Sequence, residues 1–145
     1  MGRGLEAYEL SKQVALIDPS AANYYNLALL HRDNKQFDAC RQLTGIILQN
    51  NRSNAPSYSL RGICGFEQQQ YKIALADLLR SNAIAPEQAE TYVYIGKSLI
   101  KLGKLDEGTN RILRGASLYL RQSKIVEYEK ALKSASERGS IGSRQ

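Results

Sequence analysis

The stretch YSLRGICGFEQQQYKIALADLLRSNAIAP, Tyr58 to Pro86, decides the fold. Leu75, Leu78 and Leu79 recur at spacings of three and four, which places them on one face of an α-helix. Gln68, Gln69 and Gln70 form a polar turn ahead of that helix, and Pro86 stands where a helix stops. Gly62, Gly65, Ala74 and Ser81 are small residues inside otherwise helical sequence. A glycine in a helix costs roughly 1 kcal/mol relative to alanine, a penalty that close approach of a neighbouring helix can offset. Gly62 fits that explanation; Gly65 fits it less well, since its counterparts in the pattern below are His31 and Leu99.

The pattern returns every 34 residues. Tyr24, Tyr58 and Tyr92 align, then Leu27, Arg61 and Ile95, then Ala28, Gly62 and Gly96, then Phe37, Tyr71 and Leu105. Cys40, Ala74 and Gly108 are small in every copy, and Thr44, Leu78 and Ile112 follow them. A polar turn precedes the Phe37 position each time, as DNKQ, EQQQ and LGK. This period belongs to stacked helical hairpins. Each hairpin is one-sided and too short to bury its faces alone, so neighbours share a continuous core.

The pattern resembles the tetratricopeptide repeat: an aromatic opening the first helix, a small residue four later, an aromatic or leucine opening the second helix, a small residue three after that, and a proline near the end. Tyr58, Gly62, Tyr71, Ala74 and Pro86 match nearly all of it. The first copy departs at Arg52 and Thr44, and the third ends without proline. The resemblance implies an all-α, right-handed solenoid of antiparallel helix pairs, with repeats at 21–54, 55–88 and 89–122. Residues 1–20 read as one helix of an incomplete repeat or a cap, with Leu5, Ala7, Leu10, Val14 and Ile17 on one side. That leaves open whether the chain is a fragment of a longer array. Residues 123–138 read as a solvating helix with Ile125, Tyr128 and Leu132 inward, and 139–145 as a flexible Gly/Ser-rich tail.

In this family the first helices line a concave face that binds extended peptides or helices. The positions implied here are Tyr25, Asn26, Leu29 and Arg32; Ser59, Leu60, Ile63 and Phe66; and Val93, Tyr94, Lys97, Ile100 and Lys101. Their apolar and aromatic content points to an apolar partner segment. Packing of some of them on a terminal helix or on a second copy is the competing expectation. The carboxylate-gripping subset of the family uses lysines, asparagines and an arginine where this chain has Tyr25, Leu29, Leu60, Glu90 and Tyr94, so that ligand is not expected.

Composition agrees with a protein-binding scaffold. The 145 residues suit one domain, which at this size buries about 70% of its unfolded surface. No apolar run approaches the roughly 20 residues of a membrane span, and the N-terminus lacks a signal-peptide core. A cytoplasmic location is expected, with Cys40 and Cys64 as small buried thiols too few and too far apart for zinc. The sole histidine, His31, falls on the buried side of its helix, where a hydrogen-bonded interior role is expected. With no catalytic constellation, no phosphate loop and no metal-ligand set, neither an enzyme nor a cofactor is expected.

Charge is uneven. Residues 1–100 hold 10 Lys/Arg against 9 Asp/Glu, whereas residues 101–145 hold 10 against 5. Arg111, Arg114, Arg121, Lys124, Lys130 and Lys133 therefore raise an RNA-binding alternative. They lie away from the aromatic groove with no stacking platform, which disfavours it. A small chaperone for secretion or assembly substrates is the other alternative, resting on size and groove chemistry.

Overall fold

Lys35, Gln69 and Gly103, at equivalent places in the three repeats, take left-handed backbone with φ of 58°, 63° and 89°. In each case the following N–H donates to a carbonyl five residues back: Gln36 to His31 at 2.8 Å, Gln70 to Gly65 at 2.9 Å, and Lys104 to Leu99 at 2.9 Å. This is the Schellman ending of a helix. It turns the polar runs of the sequence into chain reversals.

The computed structural model describes residues 2–137; the expected tail at 139–145 and the last residue of the expected C-terminal helix lie outside them. The described residues form α1 (Gly2–Ile17), α2 (Ala21–Asp33), α3 (Phe37–Asn50), α4 (Ala55–Glu67), α5 (Tyr71–Ile84), α6 (Ala89–Lys101), α7 (Leu105–Arg121) and α8 (Ile125–Ser136). Ser20 Oγ accepts the Asn23 N–H at 3.3 Å to start α2, and Asn54 Oδ1 accepts the Ser57 N–H at 3.0 Å to start α4. Each helix packs on its chain neighbours, giving an all-α solenoid of antiparallel pairs α2/α3, α4/α5 and α6/α7.

The aligned small residues form the seams between paired helices. Ala28, Cys40, Thr44, Ala74, Leu78, Ile95 and Ile112 are fully buried. A methyl added at Gly96 would collide with the Gly108 carbonyl oxygen and lie 2.9 Å from the Ile112 backbone nitrogen. At Gly62 it would lie 2.7 Å from Leu78 Cγ and 3.0 Å from the Ala74 carbonyl oxygen. At Gly65 it would meet Ala74 Cβ at an ordinary 3.6 Å, so the seam does not demand that glycine.

Three polar residues in or beside the core have hydrogen-bond partners. Thr44 Oγ1 donates to the Cys40 carbonyl at 2.9 Å. Arg61, at a position that is apolar in the other copies, forms a fork onto Asp77, Nε to Oδ2 and Nη2 to Oδ1, each at 2.8 Å. His31 is buried, with Nδ1 bonded to Gln36 Oε1 at 2.7 Å and its ring edge-on to Tyr8, centroids 5.0 Å apart.

Three sequence expectations need correction. The thiol reading of Cys40 and Cys64 is replaced by a disulfide between them, because repeat stacking sets α3 against α4 with these Cα atoms 6.8 Å apart. The apolar stripe of α1 faces solvent, with Leu5 67% and Ile17 85% exposed; α1 meets α2 through buried Ala15 and half-buried Tyr8 and Ser11 instead. On α8 the inward side is Tyr128, Ala131 and Ala135, while Ile125 and Leu132 point outward. Small residues allow α8 to lie close on α7, which a stripe of larger side chains would prevent.

Candidate peptide-binding groove

The inner face of α2, α4 and α6 is decided by burial. Leu60 and Ile63, at 2% and 1% exposure, and Val93 and Ile100, at 6% and 7%, are core residues. Leu60 packs with Ala28, Cys40 and Cys64; Ile63 with Leu78, Ile95 and Leu99; Val93 and Ile100 with Ile112 and Ala116. Their large side chains reach between helices, where the hydrophobic gain is greatest, so they support the face without presenting themselves on it. Tyr25, Leu29, Arg32, Ser59, Phe66, Tyr94 and Lys97 are half-buried, and Asn26 and Lys101 are exposed.

The half-buried residues meet one another across repeats. Phe66 of α4 stands edge-on to Tyr94 of α6, with centroids 5.5 Å apart. Lys97 Nζ lies 4.7 Å from the centre of the Tyr94 ring. Arg32 Nη1 reaches Glu90 Oε1 at 3.5 Å, joining α2 to α6 past the intervening hairpin. Ser59 Oγ and Thr91 Oγ1 lie 2.9 Å apart. A cavity of about 500 Å³ continues the face toward α7 and α8, lined by Tyr25, Ser59, Glu90, Tyr119, Gln122 and Glu127 among others.

Tyr119 and Glu127 were not among the residues expected from sequence. The expected residues all lie on the first helix of a hairpin, whereas these two come from the end of α7 and from α8. α7 runs for 17 residues where α3 and α5 have 14, and Tyr119 stands in this added length.

Burial first, and neighbouring acids second, set the electrostatics of this aromatic floor. Burial pushes the Tyr94 phenol up to about 12, with Glu67 and Glu90 adding to the effect. Burial likewise pushes Tyr119 up to about 12, with Glu90 and Glu127 contributing, and raises Tyr25. Burial lowers the Lys97 ammonium, against the pull of Glu67 and Glu137. A phenol in the unfolded chain ionises near pH 10. The stability carried by neutral Tyr94 and Tyr119 is therefore whole below pH 10 and is lost as the pH rises from 10 to about 12. Absorbance at 295 nm should show these phenols among the nine titrating late in the folded protein, with Tyr94→Phe removing one of them. A single titration of all nine near pH 10, with the fold intact, would refute this.

No protein-family model matches the chain, and no curated protein does. Solved structures do. The secretion translocator chaperone SycD of Yersinia enterocolitica superposes with a TM-score of 0.74 at 11% identity, over 86% of this chain and 96% of that one. The fold is of the tetratricopeptide type. MamA gives a TM-score of 0.70 at 17% identity, over 99% of this chain and 93% of that one. PcrH, solved with the chaperone-binding region of PopD, gives 0.73 at 13% identity, over 83% and 92%. Among the described residues, no helix is long and apolar enough to cross a membrane.

Proposed function

We propose that this protein is a non-enzymatic adaptor that holds an extended peptide or a helix of a partner protein on its concave face. The repeats are taken as 21–54, 55–88 and 89–122, flanked by α1 and α8. One observation carries the reading: Tyr25, Phe66, Tyr94 and Tyr119 are half-buried on one inner face, beside an open cavity and under paired charges. Apolar side chains of the partner rest on this aromatic floor, where tyrosine and phenylalanine supply contact area at small entropic cost. Glu67, Glu90 and Glu127 take up its polar or basic groups. Likeness to PcrH with a segment of PopD and to SycD with a peptide of the translocator YopD supports the chaperone form of this function, in which an aggregation-prone segment is shielded until it is used.

A triple variant, Tyr25→Ala, Phe66→Ala and Tyr94→Ala, tests the site while sparing the buried Leu60 and Ile63. Chemical crosslinking and affinity capture from the native cell should lose the principal partners in this variant, provided its circular dichroism is unchanged. Identical partner sets for the intact and variant proteins would sink the proposal. A cytoplasmic site of action belongs to the reading, although a reducing cytoplasm would open the Cys40–Cys64 bond. Alkylation of protein purified without reductant shows which state of Cys40 and Cys64 the native compartment supports.

A further inference from the structure

Tyr58 and Tyr92 occupy the same place in successive repeats, and each is covered by an arginine from the second helix of its hairpin. Arg80 lies 5.7 Å from the centre of the Tyr58 ring, and Arg114 lies 5.3 Å from that of Tyr92. Beyond this shared motif the two repeats diverge in charge. Asp77 forks with Arg61 in one, and Glu87 follows near its end. The positions 34 residues later hold Arg111 and Arg121, and Ile95 replaces Arg61. The two reversals from acid to base make the outer face of the third hairpin more basic, with Glu87 of the preceding repeat remaining beside it.

That face holds an open cavity of about 710 Å³, lined by Arg111, Arg114 and Arg121 with Glu87, Tyr92 and Asn110 among others. Glu87 Oε1, 2.6 Å from Arg114 Nη2, and the Tyr92 ring hold this guanidinium in place. Among the described residues, neither Arg111 nor Arg121 forms an ion pair. Tyr92 and Tyr94 are two residues apart on α6, about 200° around the helix, so the cavity and the concave groove lie on opposite sides of it.

We propose that this arginine-lined cavity is a second binding site, which takes an acidic segment of a partner protein. Guanidinium groups engage carboxylates through paired N–H donors, and the two without an ion pair, Arg111 and Arg121, lie about 15 Å apart along α7, the reach of a short extended segment, with Arg114 between them already on Glu87. A peptide fits better than a nucleic acid. Tyr92, at 6% exposure beneath Arg114, offers no face on which a base could stack. Asp106 and Glu107 open α7 and interrupt any longer basic track for a phosphate backbone.

The test is fluorescence anisotropy of a labelled octaglutamate peptide at low salt, with octaglutamine and an oligouridylate as comparison probes. The intact protein should bind octaglutamate and not octaglutamine. Arg111→Gln with Arg121→Gln should weaken binding at least about tenfold, the loss expected for two charge-assisted contacts. Lys72→Gln with Lys104→Gln, which removes the same charge from exposed sites elsewhere, should leave it within about twofold. Arg121 is exposed, so Arg121→Gln alone, with an expected loss of about threefold, keeps the test decisive if the double variant fails to fold. The triple groove variant should bind the peptide as the intact protein does, which separates this site from the concave one. No binding of octaglutamate, equal losses in the arginine and lysine variants, or tighter arginine-dependent binding of oligouridylate would each overturn the proposal.

Discussion

Gly96→Ala is expected to lower stability by about 2–3 kcal/mol, although alanine is the better helix former by roughly 1 kcal/mol. The added methyl falls on the Gly108 carbonyl and beside the Ile112 backbone nitrogen. Both are main-chain atoms of a neighbouring helix, so no rotamer change makes room. Separating α6 from α7 would also loosen the cluster around Val93, Ile100 and Ile112. Gly65→Ala is the internal control: its methyl meets Ala74 Cβ at 3.6 Å, so the propensity gain should survive and raise stability by up to about 1 kcal/mol. Thermal and urea unfolding, followed by circular dichroism, should move in opposite directions for the two variants. A Gly96→Ala protein as stable as the parent would contradict the packing described for the third hairpin.

Opening the Cys40–Cys64 bond should cost about 3 kcal/mol. The bond closes a loop with a sequence separation of 24 residues and joins the second helix of one hairpin to the first of the next. Its loss enlarges the unfolded ensemble and leaves two sulfurs in a fully buried position. Urea unfolding with and without dithiothreitol measures the difference, and Cys40→Ala with Cys64→Ala should match the reduced protein to within the cost of the small space it creates. Alkylation in denaturant, without reductant, should modify neither cysteine. Modification of both in protein purified without reductant would remove the disulfide and restore the thiol reading.

How far the site was legible follows from how each residue is used. Tyr94, Phe66, Arg32 and Lys97 could be placed on the inner side of first helices because a repeat fixes which helical positions turn inward. The same rule also admitted Leu60, Ile63, Val93 and Ile100, since helical spacing gives a direction but not a depth. Whether an apolar side chain on that side lies open or between helices depends on how closely the next hairpin approaches. Tyr119 and Glu127 escaped notice because they reach the groove from the last helices, through packing with no counterpart in the earlier copies.

Sequence by itself determined the hairpins, their period and their turns. Lys35, Gln69 and Gly103 reverse the chain at 34-residue intervals, and Ala28, Gly62 and Gly96 mark the close seams, because backbone geometry and local sterics act within a few residues. Tertiary structure decided what those units do to one another. It set Cys40 against Cys64, turned the stripe of α1 to solvent, joined Arg32 to Glu90 across a hairpin, and gathered Arg111, Arg114 and Arg121 around a cavity. These outcomes depend on the angle and distance at which hairpins stack, and those are fixed only when every seam packs at once.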